Sequence, residues 1–347
     1  MTTDSLHFLD AVAGLPEQLA AAHSAAAAVP TEALPNVDPI RNIVVLGMGG
    51  SGISGDVIAA AFNDELPIPL SVLKQIRTPA YVGPNTLAFA VSYSGDTEET
   101  VSMARSAVER GAQLVAVSCG GELEALARDA GALHVQCPSG YLPRAAVGAL
   151  VAPLCAVLFR LGLAPGAHAS LQRAQQQLAR RRDACRAEVE GPANAARELA
   201  RQIGRTIPLV YGGGAIGAVA AYRWKCDVNE NAKAPAFSHA HPELGHNEIC
   251  GWGQHGDVTR QLITLVELRH GFEHERLRGR FDATREIIDE CVHQVLSVEA
   301  QGEGRLAQLL DLMYVGDWTS CYLALQNDVD PGPIDAIMAL KARLAEQ

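Results

Sequence analysis

Ser92-Tyr93-Ser94-Gly95-Asp96-Thr97 places three candidate hydroxyls, Ser92, Ser94 and Thr97, within six residues, around a glycine that lets the backbone turn tightly. The segment closes an apolar run and opens a helical pattern. Backbone N–H groups at a helix start, joined by hydroxyl donors, form a phosphate cradle without any lysine. A second glycine-rich segment, Gly47-Met48-Gly49-Gly50-Ser51-Gly52, also follows an apolar run. Its Gly49, Gly50 and Ser51 would add backbone donors and a fourth hydroxyl from a neighbouring strand end. A plainer reading stands beside this one: Asp96-x-x-Glu99 is also a capping pair, and serines are frequent at helix starts. A dianion here requires Asp96, Glu98 and Glu99 to point away from it.

The first glycine segment also matches GxGxxG, the dinucleotide fingerprint in form. That fingerprint wants a carboxylate at the end of the following strand, and Ser71-Val72-Leu73-Lys74-Gln75 has none. Lys74 or Arg77 would serve an NADP phosphate, but no other feature supports that reading. His239-Ala240-His241 with His246 has ligand types for zinc, which Glu243 or Glu248 would complete.

These residues need elements to hold them. Asn42–Leu46 is a short β-branched strand, followed by glycines and a helix from Ile53. The theme recurs with strands at 70–73, 87–92, 113–118 and 133–136, helices at 97–110 and 123–130, and an apolar helix at 146–162 closing the unit. Residues 4–28 are an Ala-rich helix, and 168–190 a polar one whose Arg180–Arg182 run reads as a solvated face. A second unit then begins with a strand at 207–211, a turn at Gly212–Gly214 and a helix at 215–225. Further strands fit 262–268 and 292–299, and helices 273–291, 304–326 and 334–346. Apolar strands alternating with helices predict an α/β fold, each sheet parallel and covered on both faces. The two glycine turns occupy equivalent places, an internal repeat of architecture rather than of sequence. At the place equivalent to Ser92–Thr97, the second unit reads Arg269-His270-Gly271-Phe272-Glu273, without a hydroxyl cluster. One phosphate site per chain is therefore expected.

The pair GMGGSG and SYSGDT resembles the sugar isomerase (SIS) domain. Two such units in a chain this short resemble the bifunctional phosphoglucose/phosphomannose isomerases. Pro143-Arg144-Ala145, Asn229-Glu230-Asn231-Ala232-Lys233, Pro235-Ala236 and Pro242-Glu243-Leu244-Gly245-His246-Asn247-Glu248 sharpen the likeness, which covers the chain from about residue 40. The resemblance implies two tandem three-layer αβα domains: 1–165 with the sugar-phosphate cradle, and 166–347 with the catalytic Glu and His and the dimer contacts. It implies an aldose–ketose isomerase working on fructose 6-phosphate, glucose 6-phosphate and mannose 6-phosphate through a cis-enediolate, with no metal or other cofactor.

By the same resemblance Glu230 is the base; residue chemistry alone makes it a surface glutamate at a helix end. Arg144 would stabilise the enediolate oxygen, and a cation at a helix start otherwise opposes the dipole. His246 would assist ring opening from the partner subunit of a homodimer, with Lys341 a second ring-opening or substrate-binding group or an ordinary surface lysine. Two positions depart from the family pattern: Gly245 where Asn is common, and Gly332 where Thr is common, in a region that helps accept both C2 epimers. A non-catalytic sugar-phosphate sensor and an isomerase or lyase of amino-sugar phosphates are the alternatives. The retained Arg, Glu and His argue against the first, as does the lack of a basic helix-turn-helix segment. No N-terminal Cys glutaminase segment supports the second.

Composition sets the bounds. The chain has 347 residues, 48% hydrophobic and 19% charged, enough for about two globular domains. A net charge of −11 opposes nucleic-acid and anionic-membrane surfaces. The apolar stretch Ala145–Phe159 contains Pro153 and falls short of the ~20 residues of a bilayer helix. With Asp4 and Asp10 near its start and no basic patch, no signal peptide is expected. The eight scattered cysteines form no CxxC pair and suit a reduced cytoplasm.

Overall fold

The computed structural model of the chain describes residues 3–346. In chain order, α1 (Phe8–Ala13) and α2 (Leu15–Ala27) precede β1 (Asn42–Leu46), α3 (Gly49–Phe62), β2 (Leu70–Leu73) and β3 (Thr86–Val91). Next come α4 (Glu98–Glu109), β4 (Gln113–Ser118), α5 (Gly121–Asp129), β5 (Leu133–Gln136), α6 (Val147–Arg160) and α7 (Ala167–Cys185). The remainder is α8 (Ala195–Ile203), β6 (Ile207–Gly213), α9 (Gly214–Asn231), β7 (Phe237–His241), α10 (Gly256–Leu262), β8 (Ile263–Arg269), α11 (Glu275–Ile288), β9 (Gln294–Glu299), α12 (Arg305–Gln326) and α13 (Asp335–Ala345).

The elements fall into two compact units. The first comprises Gly14–Ala179 with Gln301–Leu310; the second comprises the residues up to Ala13, Arg180–Ala300 and those from Asp311 onward. The first holds a five-stranded sheet in the order β2-β1-β3-β4-β5, every pair parallel. β3, Thr-Leu-Ala-Phe-Ala-Val, is buried at every residue, as a central strand covered on both faces must be. α6 is apolar around most of its circumference and is accordingly a core helix, packed against α2 and α3. The second unit holds the parallel sheet β7-β6-β8-β9. Its core includes Tyr211, Leu265, Phe281 and Ile288.

In both sheets the strand order reverses beside the first strand: between β1 and β3, and between β6 and β8. Loops leaving the carboxyl ends at such a reversal diverge to opposite faces and open a crevice where ligands bind.

Some boundaries differ from the sequence reading. The Ala-rich helix breaks at Gly14, and Pro16 sits in the first turn of α2. α3 begins at Gly49, four residues early, because its glycines belong to the first helical turn. α9 runs on to Asn231, which carries Glu230 into its last turn. β7, Phe-Ser-His-Ala-His, escapes the sequence reading; it is a partly exposed edge strand, where polar side chains are tolerated and the apolar pattern fades. α8 and α10 escape it too. Among the described residues, no helix is long and apolar enough to cross a membrane.

Candidate active site

The two hydroxyl-bearing loops leave β1 and β3, which pair with Leu46 opposite Ala90, so they emerge side by side at the reversal of the first sheet. Their backbones approach closely: a Cβ on Gly47 would lie 3.0 Å from the Val91 carbonyl oxygen. A Cβ on Gly52 would lie 2.6 Å from the Gly47 oxygen and 2.8 Å from Lys74 Cε. Lys74 itself pairs with Asp56. Burial raises the Asp56 pKa, and Lys74 opposes that shift. The N-cap of α3, Met48, offers no side-chain acceptor, so the first-turn N–H groups around Gly49, Gly50 and Ser51 are available to an anion. Gly49 is exposed, and Gly50 and Ser51 are half-buried.

In the second loop, Ser92 is fully buried. Its Oγ lies 2.8 Å from Thr97 Oγ1 and accepts the Gly95 N–H at 3.2 Å. Ser94 is exposed and Thr97 half-buried. Thr97 is the N-cap of α4 without a side-chain cap bond. Asp96, read above as half of a capping pair for this helix, caps α5 instead: its Oδ1 accepts the Glu122 N–H at 2.9 Å. The capping reading is thereby corrected, and the Asp96 carboxylate is committed to the start of α5.

Gly95 has φ +84°, and a Cβ there would stand 1.8 Å from the Gly120 oxygen. Gly95→Ala is therefore expected to displace the loop and weaken inorganic phosphate binding at least about tenfold, on top of ~1–3 kcal/mol of backbone strain. Isothermal titration checks this, and unchanged phosphate affinity would refute it.

Arg144 is half-buried in a 3-10 turn, Pro143–Ala145, that lies against α3 in the same unit. The equivalent crevice of the second unit is filled by its own side chains. His270 Nε2 is 2.9 Å from the Gly213 oxygen, and Arg269 pairs with Glu273 while stacking on Phe281 at 4.0 Å.

Glu230 lies half-buried in the second unit, lining a cavity of about 290 Å³ with Asn229, Lys233, Pro333, Ile334 and the first turn of α13. Its neighbours hold it there. Asn229 Nδ2 donates to the Ala234 oxygen at 2.9 Å, and the buried Asn231 Nδ2 lies 2.9 Å from Ser320 Oγ. Lys233, at φ +54°, donates its Nζ to the carbonyls of Glu230, Asn231 and Pro331. It thus caps α9 and ties it to the segment before α13. Among the described residues the Glu230 carboxylate has no hydrogen-bond partner. Two turns earlier, Arg223 is buried against Asp227 (2.8 Å) and Asp317 (2.7 Å). Burial opposes the arginine's charge, but the two carboxylates outweigh it and raise its pKa; burial likewise pushes Asp227 well up.

His246 is exposed on the 3-10 turn Glu243–His246 and does not line the Glu230 cavity. Lys341 is exposed on α13, one turn beyond Ile337, which does. A Cβ on Gly245 would meet Arg280 at an ordinary 3.4 Å, so the fold leaves room for a side chain there. Gly332 differs: a Cβ would stand 2.9 Å from Leu6, which already occupies that space. The other histidines are occupied differently. His239 Nδ1 is 2.7 Å from Glu248, which also bonds Tyr211. His241 is buried against Tyr211 and Phe281, and burial with Arg280 and Arg269 lowers its pKa to about 4. Among the described residues no three His, Cys, Asp or Glu are grouped to hold a metal.

The sequence reading missed the clamp made by Lys233 and the buried partners of α9. Lys233 closes the NENAK run, which was the available signal. The Arg223 cluster had only its i, i+4 spacing to Asp227.

Residues 39–158 match the SIS domain family, and residues 192–344 match the bacterial phospho-glucose isomerase C-terminal SIS domain. A bifunctional phosphoglucose/phosphomannose isomerase of Caldicellulosiruptor bescii is 34% identical over 97% of this chain and 98% of its own. Another, from Aquifex aeolicus, is 31% identical over 89% and 92%. The crystal structure of a glucose-6-phosphate isomerase like protein from Thermus thermophilus superposes with a TM-score of 0.60 at 21% identity, covering 94% of this chain and 96% of that one. At that identity the likeness speaks for the fold.

Proposed function

The chain belongs to the bifunctional phosphoglucose/phosphomannose isomerase family, and on that premise we propose that it interconverts fructose 6-phosphate with glucose 6-phosphate and mannose 6-phosphate. The observation that carries this reading is the hydroxyl-rich cradle at the β1/β3 reversal, with the Asp96 carboxylate of its loop committed to α5. In this reading 1–165 supplies the phosphate grip and 166–347 the base. The 6-phosphate takes first-turn N–H groups at Gly49, Gly50 and Ser51 and hydroxyls from Ser51, Ser94 and Thr97. Ser92 braces the loop by accepting the Gly95 N–H and sharing a hydrogen bond with Thr97; in this reading Ser92 is the donor of that bond, which leaves the Thr97 proton for the phosphate.

From the ketose, Glu230 takes a proton from C1, leaving a cis-enediolate whose charge rests on O2. Arg144 stabilises that oxygen. The protonated Glu230 returns the proton to C2, the O1 proton passes to O2, and C1 becomes the aldehyde while Glu230 is left ionised. Delivery to one face of C2 gives the glucose epimer and to the other the mannose epimer. The steps need neither metal nor redox cofactor. His246 and Lys341 serve ring opening, His246 from the partner subunit of a homodimer. Its exposure outside the Glu230 cavity suits that role. So does α13, whose Ile337, Met338, Leu340 and Leu344 are exposed apolar side chains. Eight free cysteines suit a reducing cytoplasm.

The test is to incubate chelator-treated protein with fructose 6-phosphate and follow both hexose 6-phosphates by NMR. Glucose 6-phosphate is expected, and the mannose 6-phosphate signal reads the effect of Leu6 against Gly332. Binding without turnover would instead make the chain a sugar-phosphate sensor, and release of ammonia from an amino-sugar phosphate a different SIS enzyme.

A further inference from the structure

We propose that Tyr93 is a positioning residue, whose phenol sets Arg144 relative to the phosphate cradle. This rests on the role given to Arg144 above. Tyr93 stands between Ser92 and Ser94 in the cradle loop, with its side chain turned inward and 8% exposed. Its Oη accepts the Tyr141 N–H at 2.8 Å and donates to the Pro138 oxygen at 3.1 Å. Both bonds land on the segment that runs into the Arg144 turn.

The segment is tied at its root as well. Cys137 N–H donates to the Ser118 oxygen at 2.8 Å, and Cys119 N–H to the Tyr93 oxygen at 2.9 Å. Cys119 Sγ lies 3.5 Å from the Pro138 oxygen. Little slack separates Tyr141 from Arg144. Leu142 is extended, Pro143 has a ring-fixed φ, and the Ala145 N–H closes back on the Leu142 oxygen at 2.9 Å. Anchoring the Tyr141 N–H therefore anchors the backbone from which the Arg144 side chain extends, three residues on. The side chain that does so springs from the backbone that grips the phosphate. Binding the phosphate and placing the enediolate-stabilising cation thus become one mechanical event.

A residue that only positions Arg144 matters in the transition state and little in the ground state, so its loss reads in kcat rather than KM. Tyr93→Phe keeps the ring and removes both hydrogen bonds. We expect kcat for fructose 6-phosphate to fall about tenfold with KM within about twofold. In an Arg144→Ala background the same change is expected to cost less than about twofold, because the group it acts through is gone. Unaltered kcat in Tyr93→Phe, a loss confined to KM, or full additivity with Arg144→Ala would each overturn the inference. If Arg144→Ala alone leaves kcat unchanged, the role of Arg144 fails. If Arg144→Ala is impaired while Tyr93→Phe is not, only the Tyr93 inference fails. Should Tyr93→Phe not fold, difluorotyrosine at position 93 preserves shape while altering both hydrogen bonds, and must still move kcat at constant KM.

Discussion

Glu230→Gln should cost about a thousandfold in kcat, within the ~10²–10⁴ that a positioned general base contributes, while hexose 6-phosphate affinity changes little. The amide is isosteric with the carboxylate, so the cavity keeps its shape; it cannot take the C1 or C2 proton. The surrounding bonds should survive the change. Asn229, Asn231 and Lys233 are held by Ala234, Ser320 and backbone carbonyls rather than by the Glu230 side chain. The measurement is twofold: steady-state turnover, and exchange of the substrate C2 proton with deuterium oxide, which reports proton abstraction even when product release is slow. A variant that still exchanges that proton at the wild-type rate would remove Glu230 from the mechanism.

Arg223→Met should destabilise the protein by about 3–5 kcal/mol, the usual cost of removing one partner of a buried ion pair. The loss arises less from missing attraction than from what remains. Asp227 and Asp317 stay buried, 2% and 8% exposed as side chains, with no cation between them. Denaturant unfolding followed by circular dichroism measures it. Replacing all three residues by apolar ones of similar volume should restore most of the stability, because the desolvation cost disappears with the charges. A single variant that unfolds within ~1 kcal/mol of wild type would show that water reaches this cluster. The same change bears on the cavity beside Glu230, since Arg223, Asp227 and Glu230 follow one another along α9, and Asn231 and Trp224 bond that helix to α12.

Much of this protein is written locally. Asn42-Ile-Val-Val-Leu and Thr86-Leu-Ala-Phe-Ala-Val declare buried parallel strands by unbroken apolar runs, and the helices between them declare the layers. The cradle segments were legible because a turn needing φ above zero demands glycine, and Gly95 sits where one is required. Arg144, Glu230, His246 and Lys341 were named through a family likeness rather than through their own chemistry, and no local pattern separates a base from a surface glutamate.

Other features depended on distance in space. Asp96 reads as a cap for the helix it precedes, yet it bonds the N-terminus of a helix 26 residues away. No local rule decides which of two nearby helix starts a short carboxylate will serve. β7 carries too few apolar residues to announce itself, and only pairing with β6 makes it a strand. Gly332 reads as a missing side chain until Leu6, from the opposite end of the chain, is seen filling its place. Residue types and short spacings thus determined the fold class and singled out the two hydroxyl-bearing glycine loops. Burial and long-range contact alone decided which helix Asp96 caps, which glutamate faces a cavity and which tyrosine ties its loop to Pro138 and Tyr141. Each of those outcomes depends on the desolvation and packing of groups far apart in the chain, which no local window of sequence contains.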